Sequence, residues 1–241
     1  MIHKTKGVAL HFVKYSESSV IATIYTEDFG RQAYMIRGVR RKKAAIRTNV
    51  LQPLFLLDME VMHKTGRDIQ NVKEVKNSQP FSSIPYDIVK STQAIFIGEV
   101  LYRTLQEEES NPALYQFITH AVQILDLLEE GVANFSLWFL ARYCGYLGFA
   151  PQEGIIGEEQ YFDIQRGKFV SQEPIHPNYM KISMAHEFKK ILELNVADIS
   201  TLKFSNHFRR ALLEQLIQYY SIHLEGIGKI QSLKVLHEVF S

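Results

Sequence analysis

The apolar residues of this chain change period once, near residue 80, and that change constrains the fold more than any other feature. Ahead of Pro80 and Pro85 they tend to alternate, as along a half-buried strand; behind them they recur at helical spacing. Val8, Leu10 and Phe12 share one face of a first strand. Ser19 to Thr26, rich in Val, Ile, Thr and Tyr, suits a second. Asp28-Phe29-Gly30 supplies a turn, and a third strand runs from Gln32 to Val39. Pro53 opens a fourth, in which Phe55, Leu57, Met59 and Val61 face one way and Asp58 and Glu60 the other. After the tight turn Thr65-Gly66-Arg67-Asp68 comes a fifth, Ile69 to Lys76. Its apolar residues Ile69, Val72 and Val75 do not alternate, so a bulge or an early exit is expected there. Five short strands of this kind close into a small barrel, and the common five-stranded barrel is the OB-fold, which often binds nucleic acid.

The rest reads as helices. Ile88, Ile95 and Tyr102, seven apart and with Val89 and Phe96 beside them, mark an amphipathic helix over 86–108. Asn111 is a natural N-cap and Pro112 a natural first residue for a second helix, which reaches about Glu130 before Gly131. Asn134 is expected to cap a third, Phe135 to about Leu147, apolar nearly all round and so the centre of a bundle. Residues 152–180 are polar and turn-rich, with a hairpin at Tyr161 to Phe169; helices resume at about 183–194, 205–225 and 231–239. The fold expected is α+β: an OB barrel over 1–80, then a mainly helical domain over 81–241 with a hairpin subdomain at about 150–180.

Charge divides at the same place. Residues 1–80 hold 14 Lys/Arg against 7 Asp/Glu, and residues 81–241 hold 13 against 19. A basic module that meets a polyanion, joined to a mildly acidic one, fits that split. Arg37, Arg40, Arg41, Lys42, Lys43 and Arg47 place six cations within eleven residues, with no acid between Asp28 and Asp58. The run falls between the third and fourth strands, where an OB barrel uses loops to grip single strands. Its chemistry there is phosphate neutralisation, which gives affinity without reading sequence. Lys4, Lys6, Lys14 and Arg31 extend the track, and Tyr15, Tyr25, Phe29 and Tyr34 are candidate stacking rings; core packing is the competing reading for each ring. Arg209-Arg210, near a helix start, either bonds a neighbouring carboxylate or adds to the DNA surface. Phe139, Tyr143 and Tyr146, with Arg142 among them, suit an apolar groove for a short acidic, hydrophobic peptide, with simple core as the alternative.

Catalytic patterns are missing. His186-Glu187 starts like a metalloprotease helix, but Lys190 stands where the second His belongs. Gly226-Ile227-Gly228 is too short for a dinucleotide fingerprint. No phosphate-binding loop and no nucleophile elbow is present, so an enzyme is not expected. The single cysteine, Cys144, rules out an intramolecular disulfide and a cysteine-rich zinc site. No secretory leader and no run near the roughly 18 apolar residues of a membrane span appears, so a cytoplasmic chain without membrane or cofactor is expected.

Several segments together carry a resemblance. They are Lys4-Thr5-Lys6-Gly7-Val8-Ala9-Leu10, Thr23-Ile24-Tyr25-Thr26, Phe29-Gly30-Arg31, Ile36-Arg37-Gly38-Val39-Arg40, Leu51-Gln52-Pro53-Leu54 and Gly148-Phe149-Ala150-Pro151. In this order and spacing the chain resembles the bacterial recombination and repair family RecO over nearly its whole length. The resemblance implies an N-terminal OB-fold and a helical C-terminal domain. It implies binding to single- and double-stranded DNA, strand annealing, and loading of the recombinase RecA at gaps. It also implies partnership with RecR and with the acidic tail of the single-stranded DNA-binding protein. Many members carry four cysteines after the Gly-Phe-x-Pro segment as a zinc site; this chain has none after Ala150. Packing by Tyr161, Phe162, Phe169 and Ile175 is therefore expected to hold the hairpin, without zinc. Two other classes stay open on the residues alone: an OB adaptor acting mainly through protein partners, and a single-stranded RNA-binding protein.

Overall fold

The structure is a computed structural model that describes residues 1–39, 48–153 and 160–239. Five strands, β1 (Ile2–Lys14), β2 (Ser19–Thr26), β3 (Gly30–Arg37), β4 (Leu56–Met62) and β5 (Ile69–Asn77), close into a barrel of order β1-β2-β3-β5-β4. All neighbours are antiparallel except β3 and β5, which are parallel. This is the five-stranded OB-type barrel expected from the alternating pattern.

Two bulges set which residues face inward. In β5 the register against β4 slips between Glu60 and Val61, leaving Lys73 unmatched, which is the bulge that the irregular spacing of Ile69, Val72 and Val75 suggests. In β1 the pairing with β2 slips between Ala9 and His11. The extra residue, Leu10, stays buried with Val8, and the parity beyond it inverts. Phe12, expected to share a face with Val8 and Leu10, instead pairs with Ala22 in a strand end, His11 to Lys14, that is exposed on both faces.

Contacts gather the chain into two compact units: Met1–Leu127 with Ile230–Leu233, and Leu128–Lys229 with Lys234–Ser241. The first holds the barrel, α1 (Ile88–Thr104) and α2 (Pro112–Leu127). Asp87 caps α1 by accepting from the Val89 and Lys90 amides. Asn111 Oδ1 accepts from Leu114 N at 3.1 Å ahead of Pro112, as its position before a proline suggests. The apolar stripe of α1 is shifted from the one expected: Phe96 is buried as expected, but Ile88 and Ile95 are exposed, and Ile97, Val100 and Leu101 are buried. The reason is a close approach at Gly98, where an added Cβ would lie 2.8 Å from Pro53 Cβ. That approach turns the Phe96/Val100 side toward the barrel wall. The segment joining barrel to helices is held by Asp126, at the end of α2, whose carboxylate accepts from the Ser82, Ser83 and Ile84 amides at 2.8–2.9 Å.

The second unit is built on α3 (Phe135–Tyr146), with α4 (Ile182–Glu193) and α5 (Asn206–His223) against it. Leu137, Phe139, Leu140 and Tyr143 are buried, as an all-round apolar helix requires, and Tyr220 donates its hydroxyl to Leu140 O at 2.7 Å. Asn134 is not the side-chain cap expected for α3. Its amide nitrogen donates to Leu202 O at 2.9 Å and its oxygen accepts from Arg209, so it ties the helix start to a later segment. The hairpin gains a third member: β6 (Tyr161–Asp163), β7 (Lys168–Val170) and β8 (Tyr179–Met180) pair in the order β7-β6-β8. Phe162 packs against Phe169, Phe188 and Tyr219. Ile175 does not help: it is fully exposed. Its place is taken by polar ties. The buried Asp163 carboxylate accepts from Arg166 N and meets His176 Nε2 at 3.3 Å, and Tyr179 donates to Glu173. The last helix is α6 (Ser232–Val239).

Candidate nucleic-acid interface

Lys14, Tyr15 and Arg37 come together at one end of the barrel. Lys14 pairs with Val20, and the next rung pairs Ser19 with Arg37, so both cations sit where β1, β2 and β3 lie side by side. Tyr15 and Ser16 turn the chain by donating their amides to Ser19 O at 3.0 and 3.1 Å. Tyr15 is 63% exposed, and Phe12 and Val13 are exposed on the same strand end. Gly38, at φ +75, then bends the chain so that Val39 N donates to Ser18 O at 3.1 Å. Arg40, Arg41, Lys42, Lys43 and Arg47 follow in the chain and lie outside the described residues. Lys14 and Arg37 have no carboxylate partner among the described residues, the condition for neutralising a phosphate. Phe12 is the residue missed from sequence; the only signal was that a strand of thirteen residues must bend to serve a small barrel.

The other candidates are placed elsewhere. Lys4 and Lys6 are exposed but stand opposite Glu60 and Asp58, and Asp58 also faces Lys76. Lys73 bonds Glu60 at 2.9 Å, and its hydrogen bond and charge, with Lys4 and Lys76 behind, hold that carboxyl below the usual range. This ladder of opposite charges spends its cations locally. Arg31 donates its amide to Glu107 O at 3.0 Å and a guanidinium nitrogen to Gln106 Oε1 at 3.4 Å, and its charge lies 5.3 Å from the Tyr102 ring. It is bound beside the acidic run Glu107-Glu108-Glu109, an unfavourable place for a phosphate.

Two of the four stacking rings are core. Tyr25 and Tyr34 are buried, and burial first, with Glu107 adding, pushes the Tyr25 phenol up to about 12. Such rings cannot receive a base. Phe29 is half-buried and stacked on His63 at 4.1 Å, with His3 against it edge-on at 5.5 Å. Tyr15 alone of the four is free to stack.

In the second unit, Arg209 resolves to a structural role. Its guanidinium donates to Asn134 Oδ1 at 3.0 Å, Asn206 Oδ1 at 2.8 Å and Phe204 O at 3.1 Å, so its partners are amides and a carbonyl rather than a carboxylate or a phosphate. Arg210 is exposed and donates to His237 O at 2.9 Å. Phe139 and Tyr143 are buried and line no groove; Arg142 donates to Leu194 O at 2.9 Å, at the end of α4, and only Tyr146 faces solvent. Cys144 is buried in α3, and among the described residues no group of three or more His, Cys, Asp or Glu could hold a metal. No helix among them is long and apolar enough to cross a membrane.

A closed five-stranded barrel followed by helices, with unpaired cations and an exposed ring at one barrel end, defines an OB-fold protein of the nucleic-acid-binding class. Residues 1–81 match the family profile described as recombination protein O N terminal, and residues 85–233 the one for its C terminal. The chain belongs to the RecO family. It is 38% identical over 242 residues to a DNA repair protein RecO of Flavobacterium psychrophilum, covering 99% of both chains. It is 34% identical over 241 residues to the Bacteroides fragilis protein of that name and 33% over 240 residues to that of Azobacteroides pseudotrichonymphae, covering 100% of each. The role that goes with this family is DNA repair and recombination, with DNA binding and recombination partners.

Proposed function

We propose that this chain is a non-catalytic recombination mediator. It binds single- and double-stranded DNA, anneals complementary strands, and helps load the recombinase RecA at gaps. The observation that carries the reading is the end of the barrel where Lys14, Tyr15 and Arg37 converge and from which the basic run Arg40-Arg41-Lys42-Lys43 continues in the chain. Cations without carboxylate partners beside an exposed ring suit a strand of any sequence: phosphates supply affinity and the ring accepts whichever base is present. Family membership supports partnership with RecR and with the acidic tail of the single-stranded DNA-binding protein, and a cytoplasmic, nucleoid-associated location. For the tail, Tyr146 is the one candidate ring at the surface.

The test is strand annealing on DNA coated with the single-stranded DNA-binding protein, comparing wild type with Arg40, Arg41, Lys42 and Lys43 all changed to Glu. Annealing is expected to collapse in the variant; an unchanged rate removes the reading. Five phosphate contacts give a log–log salt slope of roughly −3.5 for single strands. Affinity that ignores salt points to an adaptor, and preference for RNA over DNA of equal length to an RNA-binding role.

A further inference from the structure

The sheet β7-β6-β8 and α4 border an open concavity of about 1150 Å³ in the second unit, with Tyr161, Phe169, Lys181, His186, Lys189 and Lys190 on its walls. Residues 81–241 carry an acid surplus, but 160–193 reverses it. That stretch has five Lys/Arg (Arg166, Lys168, Lys181, Lys189, Lys190) against four Asp/Glu (Asp163, Glu173, Glu187, Glu193). Two of those four carboxylates, Glu173 and Glu193, share the groove wall with the lysines. Asp163 is buried on Arg166 N and His176, Glu173 accepts from Tyr179, and Glu187 holds Lys190 at 2.7 Å. Lys181 and Lys189 have no carboxylate partner among the described residues. The Lys189 ammonium lies over the Phe169 ring, 6.0 Å from its centroid, on the wall of the same concavity. Tyr161 is half-exposed and braced edge-on by Tyr179 at 5.7 Å, so its ring is held in place.

We propose that this groove is a second contact for single-stranded DNA, in which Lys181 and Lys189 neutralise backbone phosphates and Tyr161 offers a face to a base. The inference rests on the annealing function proposed above. Annealing brings two strands to one protein, and a site in each compact unit lets each strand have its own. An acidic peptide shares the need for lysines but has no bases to stack, so the braced ring favours the nucleic acid.

The experiment uses the full chain with both Lys181 and Lys189 changed to Glu, a fluorescent oligothymidylate, and a salt series. Each lost phosphate contact removes about 0.7 from the log–log slope, so the variant is expected to bind with a slope shallower by about 1.4. It is expected to anneal complementary strands more slowly than wild type. A thermal melt verifies folding, and Lys181→Gln with Lys189→Gln is the fallback if the charge reversal unfolds the unit. Unchanged slope and annealing in a folded variant overturn the groove while leaving the barrel reading intact. An unchanged slope together with lost binding of an acidic, hydrophobic peptide also overturns it, assigning the groove to protein. If the four-residue barrel variant anneals normally, it is the barrel reading that fails.

Discussion

Changing Asp126 to Ala is expected to unfold the first unit more readily than any surface substitution. The carboxylate is 7% exposed and accepts from three backbone amides and the Ser82 hydroxyl, while its carbonyl accepts from Lys90 Nζ at 2.8 Å. Burial alone would raise its pKa; the Ile84, Ser82 and Ser83 amides and the Ser82 hydroxyl overcome that and hold it at about 2, against an ordinary 3.8. By linkage that depression contributes about 2 kcal/mol at neutral pH. Removing the side chain also strands buried amides at about 1–3 kcal/mol each, partly recovered by water near the exposed Ser82, for a total of about 3–5 kcal/mol. The depressed pKa means the contribution is fully present above pH 3.8 and is lost as pH falls from about 4 toward 2. Urea unfolding at pH 7 and across that acid range measures both parts. Asp126→Asn, which keeps the shape, is expected to lose the acid limb and about half the stability of the site. An Asp126→Ala variant within about 0.5 kcal/mol of wild type at pH 7 refutes the reasoning, because surface changes stay within that range. So does an Asp126→Asn variant whose stability falls between pH 4 and 2 as steeply as that of wild type.

Gly98→Val is expected to cost about 2–3 kcal/mol, since its Cβ meets Pro53 and the helix cannot back away without opening the core; a thermal melt reads it. Phe162→Ala removes a ring buried among three others and is expected to cost about 3–5 kcal/mol, whereas Ile175→Ser is expected to change stability by under about 0.5 kcal/mol. A destabilised Ile175 variant would mean that Ile175 joins the packing of the hairpin after all. Arg209→Ala is expected to cost about 2–4 kcal/mol by leaving Asn134 and Phe204 O without a donor, with single-strand affinity preserved at temperatures where it stays folded. Arg37→Ala is expected to do the reverse: stability is unchanged and the salt slope of binding falls by about 0.7.

The barrel was legible because alternation and turn chemistry are local, and five strands with a basic third connection leave few closed arrangements. The helices were legible from period and from signals such as Asn111-Pro112. What escaped were features decided by a single contact across the fold. Phe12 shares a face with Val8 and Leu10 only in a regular strand, and nothing near Leu10 in the sequence announces that it is the extra residue. Ile88 and Ile95 form a sound stripe on paper, but the close approach at Gly98 selects the neighbouring face. Nothing local separates Tyr25 and Tyr34 from Tyr15; Tyr34 is buried opposite Ala22, Tyr25 is covered by Tyr115 of α2, and Tyr15 is left exposed past the end of β1. Arg209 was read as a charge, yet its planar fork meets three oxygens whose convergence is set by Asn134, 75 residues away. The central basic run falls outside the described residues, so its role rests on the barrel end from which it emerges.

In β1 only Gly7 and Val8 pair with both β4 and β2; Ile2 to Lys6 pair with β4 alone, and His11 to Lys14 pair with β2 alone among the described residues. The barrel wall thus ends in a short open border, and an open border of backbone donors and acceptors is a template for another chain. The irregular twist at Leu10 and the charge of Lys14 act as guards, breaking the flatness that a foreign strand needs. A variant that straightens this border by deleting Leu10 and also replaces Lys14 with Val would fail by strand-to-strand stacking in concentrated solution, a loss of solubility rather than of affinity.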